Sequence, residues 1–132
     1  MRSRTEKISG FNQYPQQSCH VFRPEKYHDL FKLTQPIIAR GCGKSYGDCA
    51  LNKDANVFHT IRLNRFITFD KDQGILTAES GTTLYDILNL IVPQGWFLPV
   101  VPGTQFVTLG GCVANDIHGK NHLKQGNFGK HV

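Results

Sequence analysis

The stretch Pro99–His122 (PVVPGTQFVTLGGCVANDIHGKNH) constrains this chain more than any other. It combines a Pro102-Gly103 turn, a Gly110-Gly111 pair and a His118-Gly119-Lys120-Asn121 cluster. Long side chains are scarce in it, and glycine leaves the backbone open to close approach. A second stretch, Arg40–Asp48 (RGCGKSYGD), has the same character. Gly41, Gly43 and Gly47 clear the way to successive backbone N–H groups, which in a loop following a strand form a concave anion site. Arg40 and Lys44 add positive charge, and Ser45 and Tyr46 add hydroxyls. Taken alone, this loop also fits a tight turn that holds nothing. Taken together, the two stretches read as a grip on one large molecule.

The elements around them are short and of mixed type. Residues 1–20 lack clear periodicity, and Gly10–Pro15 reads as an irregular loop. Pro24 followed by Glu25 marks a helix start, and Tyr27, Leu30, Phe31 and Leu33 recur near helical spacing, which predicts a helix over about 24–33 packing on a sheet. Pro36–Ala39 reads as a buried strand that runs into the glycine loop, and Val57–Ile61 as another. Residues 66–79 read as a hairpin around the turn Lys71-Asp72-Gln73-Gly74. Thr82 or Thr83 caps a helix whose stripe is Leu84, Ile87, Leu88 and Ile91, with Pro93 and Gly95 as its stop. Thr108 opens a short helix of small residues over Val107–Asn115. The expected class is α+β, in one domain over 1–132.

Composition narrows the function classes. A chain of 132 residues with 39% hydrophobic and 19% charged content is globular. Its net charge of +5 suits an anionic partner. The basic residues are scattered, with no basic helix and no aromatic–basic stripe, so nucleic acid is not expected. No apolar run suits a membrane span, and the basic start MRSRTEKISG has no apolar core for a secretory signal, so a cytoplasmic location is expected. Cys19, Cys42, Cys49 and Cys112 form no C-x-x-C pair. Zinc is therefore not expected, the thiols are expected to be free, and Cys42, Cys49 and Cys112 are expected to be small packing residues.

Three familiar motifs fail. Gly43-Lys44-Ser45 imitates the end of a phosphate-binding P-loop, but Ile38 stands where that motif needs glycine. The dinucleotide fingerprint G-x-G-x-x-G needs glycine at Tyr46. His118 and His122 have helical metal spacing, yet Gly119 between them argues against a helix there, so no metal site is expected.

The pair RGCGKSYGDCALN and PVVPGTQFVTLGGCVANDIHGKNH, with NFGKHV following, resembles the N-terminal part of the PCMH-type FAD-binding domain of the vanillyl-alcohol-oxidase flavoproteins. Within that family the chain looks most like the group containing the oxidase subunit of decaprenylphosphoryl-ribose 2′-epimerase and related sugar or aldonolactone oxidases. Ile8–Phe11, Tyr14-Pro15 and Phe22–Glu25 fit the same group. The resemblance implies FAD as cofactor. Arg40, Gly41, Cys42, Gly43, Lys44, Ser45, Tyr46, Gly47 and Asp48 would wrap its pyrophosphate. Gly103, Thr108, Leu109, Gly110 and Gly111 would continue the cradle, so a side chain added at Gly110 is expected to enter cofactor space. Asn115, Ile117 and His118 would approach the ribityl chain and the ring, and His118 and Lys120 would lie near the flavin where substrate enters.

Two departures shape the reading. Lys44 stands where many relatives carry the histidine that bonds covalently to flavin, which implies non-covalent FAD. Family enzymes are also several times longer and carry their catalytic residues on a second domain, so no catalytic residue is assigned here. The chain is expected to be a fragment or a truncated product, inactive by itself. The full protein would oxidise a sugar or similar secondary alcohol by hydride transfer to flavin. Its substrate would be a small molecule or a lipid-linked sugar, and a partner reductase subunit fits the same group. The alternative is a truncated, non-catalytic nucleotide-binding module.

Overall fold

The polar N-terminal segment, whose sequence lacks clear periodicity, forms two strands on either side of the irregular loop read at Gly10–Pro15. The computed structural model describes residues 3–132; Met1 and Arg2, part of the basic start, lie outside them. β1 (Ser3–Ser9) and β2 (Gln16–Phe22) pair antiparallel from Ser3↔Phe22 to Ser9↔Gln16. Only one face of the pair is covered. Cys19 and Val21 are buried against Val57, with Ile8 packed beside them, whereas Thr5 and Lys7 on the other face stay in water. So few apolar residues carry the strand period of two that the alternation does not stand out. Arg23 closes the pair by donating to both carboxylate oxygens of Glu6 at 2.6 and 2.7 Å, and that pairing holds the Glu6 carboxyl below its ordinary range.

β3 (Ile37–Arg40) and β4 (Asn56–His59) run parallel and complete a sheet of order β1-β2-β4-β3. β4 lies between two strands, which accounts for the burial of Val57 and Phe58. It ends at His59, short of the expected Ile61, because a 3₁₀ turn over Thr60–Arg62 takes over. The helix expected over 24–33 is only a 3₁₀ turn, Tyr27–Lys32. It buries none of its residues, and Tyr27, Leu30 and Phe31 are exposed, so the expected packing on a sheet does not occur. A 3₁₀ turn has three residues per turn and poorer hydrogen bonds, so it stays short and presents no broad apolar face.

These elements make up one compact unit, Met1–Leu63, and Asn64–Val132 makes up another. The second begins with the expected hairpin, β5 (Phe66–Asp70) and β6 (Ile75–Ala78), with a register shift between Phe66 and Thr68. Asp70 Oδ1 accepts from the N–H groups of Asp72 and Gln73, and Gly74 turns the chain at φ +67°. α1 (Leu84–Ile91) has Thr83 as its N-cap in a complete capping box with Asp86. Pro93 lies in the 3₁₀ turn Val92–Gln94 that follows, and Gly95 ends it in the left-handed region at φ +84°. α2 (Leu109–Ala114) starts at its N-cap Thr108, as expected. α3 (His122–Gln125) and a 3₁₀ turn over Phe128–His131 complete the unit. Its core gathers Leu84, Ile87 and Ile91 of α1 with Val100, Cys112 and Phe128. The class is α+β, as expected.

Candidate functional site

In the first unit the glycine loop leaves the C-terminal end of β3 at Arg40 and returns to β4. Gly43 and Gly47 hold φ of +66° and +60°, which an L side chain rarely adopts. The backbone N–H groups of Gly43, Lys44, Ser45 and Tyr46 meet no acceptor among the described residues. Space is open around Gly47, where an added Cβ would meet nothing within 4 Å. Unmet donors beside a lysine suit a diphosphate.

Arg40 serves the loop from inside. Its guanidinium donates to Ser9 O at 2.7 Å and Ala50 O at 3.3 Å, and burial pushes its pKa down. A Cβ at Gly43 would strike that guanidinium, so the glycine there makes room for Arg40. Lys44 and Asp48 are exposed, and Tyr46 is 69% exposed. The expected packing role of Cys49 is corrected: it is exposed, and its thiol donates to Tyr46 O at 2.8 Å. Among the described residues the four cysteines form no disulfide. Cys112 is buried as expected, and burial pushes its thiol up to about 12.

Sequence reasoning gave Gly10, Phe11 and Asn12 no part in the site, yet they lie in the β1–β2 turn against this loop. Phe11 donates its N–H to Ser45 O at 2.9 Å, and Gly47 donates to Asn12 Oδ1 at 3.3 Å. The Phe11 ring meets Tyr46 edge-on at 5.6 Å. No sequence pattern links positions 10–12 to positions 45–47; only the sheet order brings β1–β2 beside the loop.

In the second unit, the N–H groups that open α2 are already engaged. Leu109 donates to Thr82 O at 2.7 Å, Gly110 to Ser80 O at 2.8 Å and Gly111 to Thr108 Oγ1 at 3.2 Å. A Cβ at Gly110 would sit 2.9 Å from Ser80 Cβ and 3.0 Å from Ser80 O, so protein occupies the room that a side chain there would need. Gly103 is exposed with open space around it. Asn115 turns its amide back to Gly111 O at 2.8 Å, and Ile117 packs against the core.

A cleft of about 690 Å³ in this unit is lined by Phe97, Pro99, Val101 and Pro102 together with His118, Lys120, Asn121 and His122. His118 and His122 meet edge-on with ring centres 5.0 Å apart. Among the described residues no group of three or more His, Cys, Asp or Glu gathers as a metal site. Asp116, another residue that sequence reasoning passed over, anchors the cleft's polar segment. It holds φ +41°, and its carboxylate accepts from Gly129 N–H at 2.9 Å and Asn127 Nδ2 at 3.1 Å. Those bonds keep its pKa below the ordinary value and tie the segment at the His118↔Asn127 bridge.

Both regions lie within the stretch that comparison with known proteins matches to a family. The sequence profile of an FAD binding domain matches residues 29–132. Decaprenylphosphoryl-beta-D-ribose oxidase of Mycolicibacterium smegmatis is 43% identical over 96 residues, covering 73% of this chain and 21% of that protein. D-lactate dehydrogenase of Anaerostipes hadrus is 32% identical over 65 residues, covering 49% of this chain and 14% of that protein. The chain thus spans about a fifth or less of the length of these relatives. Cholesterol oxidase from B. sterolicum shares the fold at TM-score 0.77 and 17% identity, over 89% of this chain and 25% of that one. With the profile covering most of its length, the chain belongs to the family of PCMH-type FAD-binding domains.

Proposed function

We propose that residues 1–132 form the N-terminal part of the FAD-binding domain of an oxidoreductase, that the FAD is non-covalent, and that the whole protein oxidises a sugar or similar secondary alcohol. The observation that carries this reading is the run of unmet N–H groups from Gly43 to Tyr46, between two left-handed glycines. These donors, with the Lys44 ammonium, would hold the pyrophosphate. Because the first-turn donors of α2 are spent on Ser80, Thr82 and Thr108, the segment from Thr108 to Gly111 would border FAD by close contact rather than by N–H donation.

When bound, FAD supplies the acceptor for a hydride from the alcohol carbon. His118 and Lys120 are exposed on the cleft and would orient the substrate hydroxyl, with Phe97 and Val101 keeping water away from the apolar part of the substrate. A sugar substrate is supported by the name of the mycobacterial relative, an oxidase of a decaprenylphosphoryl ribose. A lipid-linked sugar and a partner reductase subunit belong to the same proposal.

The test is an absorbance and fluorescence titration of the chain with FAD, followed by acid precipitation. Weak but saturable binding, with flavin released to the supernatant, is expected, because a cofactor site normally buries most of its ligand. Flavin held in the pellet would overturn the non-covalent reading at Lys44. No binding at all would overturn the assignment of an FAD site to these residues.

A further inference from the structure

The turn between β1 and β2 grips the glycine loop at four points. Phe11 N–H donates to Ser45 O at 2.9 Å, and Asn12 Oδ1 accepts from Gly47 N–H at 3.3 Å. The Phe11 ring packs edge-on to Tyr46 at 5.6 Å, with Lys44 Nζ 5.6 Å from its centre. Gly10 lies so close that a Cβ on it would come within 2.5 Å of Gly47 O and 2.7 Å of Ser45 O. Arg40 adds a tie from the loop's root to Ser9 O at 2.7 Å. These contacts engage the Ser45 carbonyl, the side chains of Lys44 and Tyr46 and the N–H of Gly47, and leave the N–H donors of Gly43–Tyr46 free. The turn also precedes residue 29, where the FAD-binding profile begins to match.

We propose that Gly10, Phe11 and Asn12 are positioning residues: they hold the loop in its anion-binding shape before the cofactor arrives. The physical ground is entropic. A glycine-rich loop samples many conformations, and its apparent affinity falls in proportion to the fraction of time it spends in the competent one. Two hydrogen bonds and an aromatic contact, all made by a rigid hairpin turn, raise that fraction without touching the ligand. The inference rests on the reading of this loop as the pyrophosphate site.

The test uses the 132-residue chain and three readouts: the rate of tryptic cleavage after Lys44, the FAD dissociation constant, and the melting temperature. Phe11→Ala combined with Asn12→Ala removes only exposed side chains. The expected result is cleavage about tenfold faster and FAD binding about tenfold weaker, with melting shifted by no more than about 2 °C. Phe11→Tyr, which keeps the ring, is expected to restore both when paired with native Asn12. Gly10→Ala is expected to act in the same direction and more strongly. Unchanged cleavage would overturn the inference, and so would faster cleavage at unchanged FAD affinity. If the unmodified chain itself fails to bind FAD, the pyrophosphate reading falls and the positioning role falls with it. That outcome differs from a binding chain whose variants bind equally well.

Discussion

Thr83 and Thr108, the N-caps of α1 and α2, are partners in an antiparallel bridge. The two helix starts therefore stand face to face and satisfy one another. Leu84 N–H donates to Val107 O and Tyr85 N–H to Gln105 O, while Leu109 N–H donates to Thr82 O and Gly110 N–H to Ser80 O. Orphan donors at a helix start need acceptors, and here each start finds them in the chain that leads into the other. Gly110 of α2 lies against Ser80 at this junction, where a side chain would find no room.

Removing either cap hydroxyl should loosen this junction. Thr83→Ala deletes the acceptor for Asp86 N–H, and Thr108→Ala deletes the acceptor for Gly111 N–H. Each is expected to cost about 1 kcal/mol in denaturant unfolding. Thr→Ser at either site should recover most of it. Because the two caps are bridge partners, the double alanine variant should depart from simple addition.

Gly110→Ala is expected to destabilise by about 1–3 kcal/mol, because the new methyl would press on Ser80 Cβ and Ser80 O. Thermal unfolding checks it. Adding Ser80→Gly should recover only part of the loss, since the backbone oxygen remains. A variant that melts normally but loses FAD would instead place the cofactor, not Ser80, against Gly110.

Thr82 is fully buried, and its Oγ1 has no hydrogen-bond partner among the described residues. Thr82→Val keeps the shape and removes the unmet hydroxyl. It is expected to stabilise by about 1 kcal/mol, read by urea unfolding. A comparable loss would mean that the hydroxyl has a bound partner such as an ordered water.

His59 sets a pH dependence. Burial first, then the charges of Arg23 and Arg40, push its imidazole below the ordinary 6.5. The native chain keeps it neutral while the unfolded chain takes up a proton. Stability should therefore fall as pH drops below about 6.5, until the lowered native value is also passed. His59→Gln should flatten the melting profile just below about pH 6.5. A profile as steep as before would assign the slope to other groups. Below about 4.5 the paired carboxylates of Glu6 and Glu79 add a further loss, since their native values lie under the ordinary one.

Local chemistry made several elements legible. A threonine cap at Thr82 or Thr83 before an apolar stripe marks α1, and Pro93 with Gly95 marks its end. Lys71 through Gly74 marks the hairpin turn, and Thr108 marks α2. These signals act within a turn or two of chain, so they survive without tertiary context. The segment 24–33 misled because Tyr27, Leu30 and Phe31 have helical spacing yet find no surface to bury against. Spacing alone supplies no partner face. β1 and β2 stayed hidden because a sheet covered on one side needs few apolar residues.

The sequence alone determined the two glycine stretches, the α+β class and, through the residues of those stretches, the FAD-binding family. Each rests on residue types whose meaning is local: glycine where backbone must be bare, threonine where a helix must start. The tertiary structure decided how each glycine is used. Gly43 makes room for Arg40, Gly110 for Ser80 and Gly10 for Ser45 and Gly47, whereas around Gly47, Gly95 and Gly103 the space is open. A missing side chain shows that something comes close. What comes close is set by sheet order and helix packing, which join residues far apart in the chain.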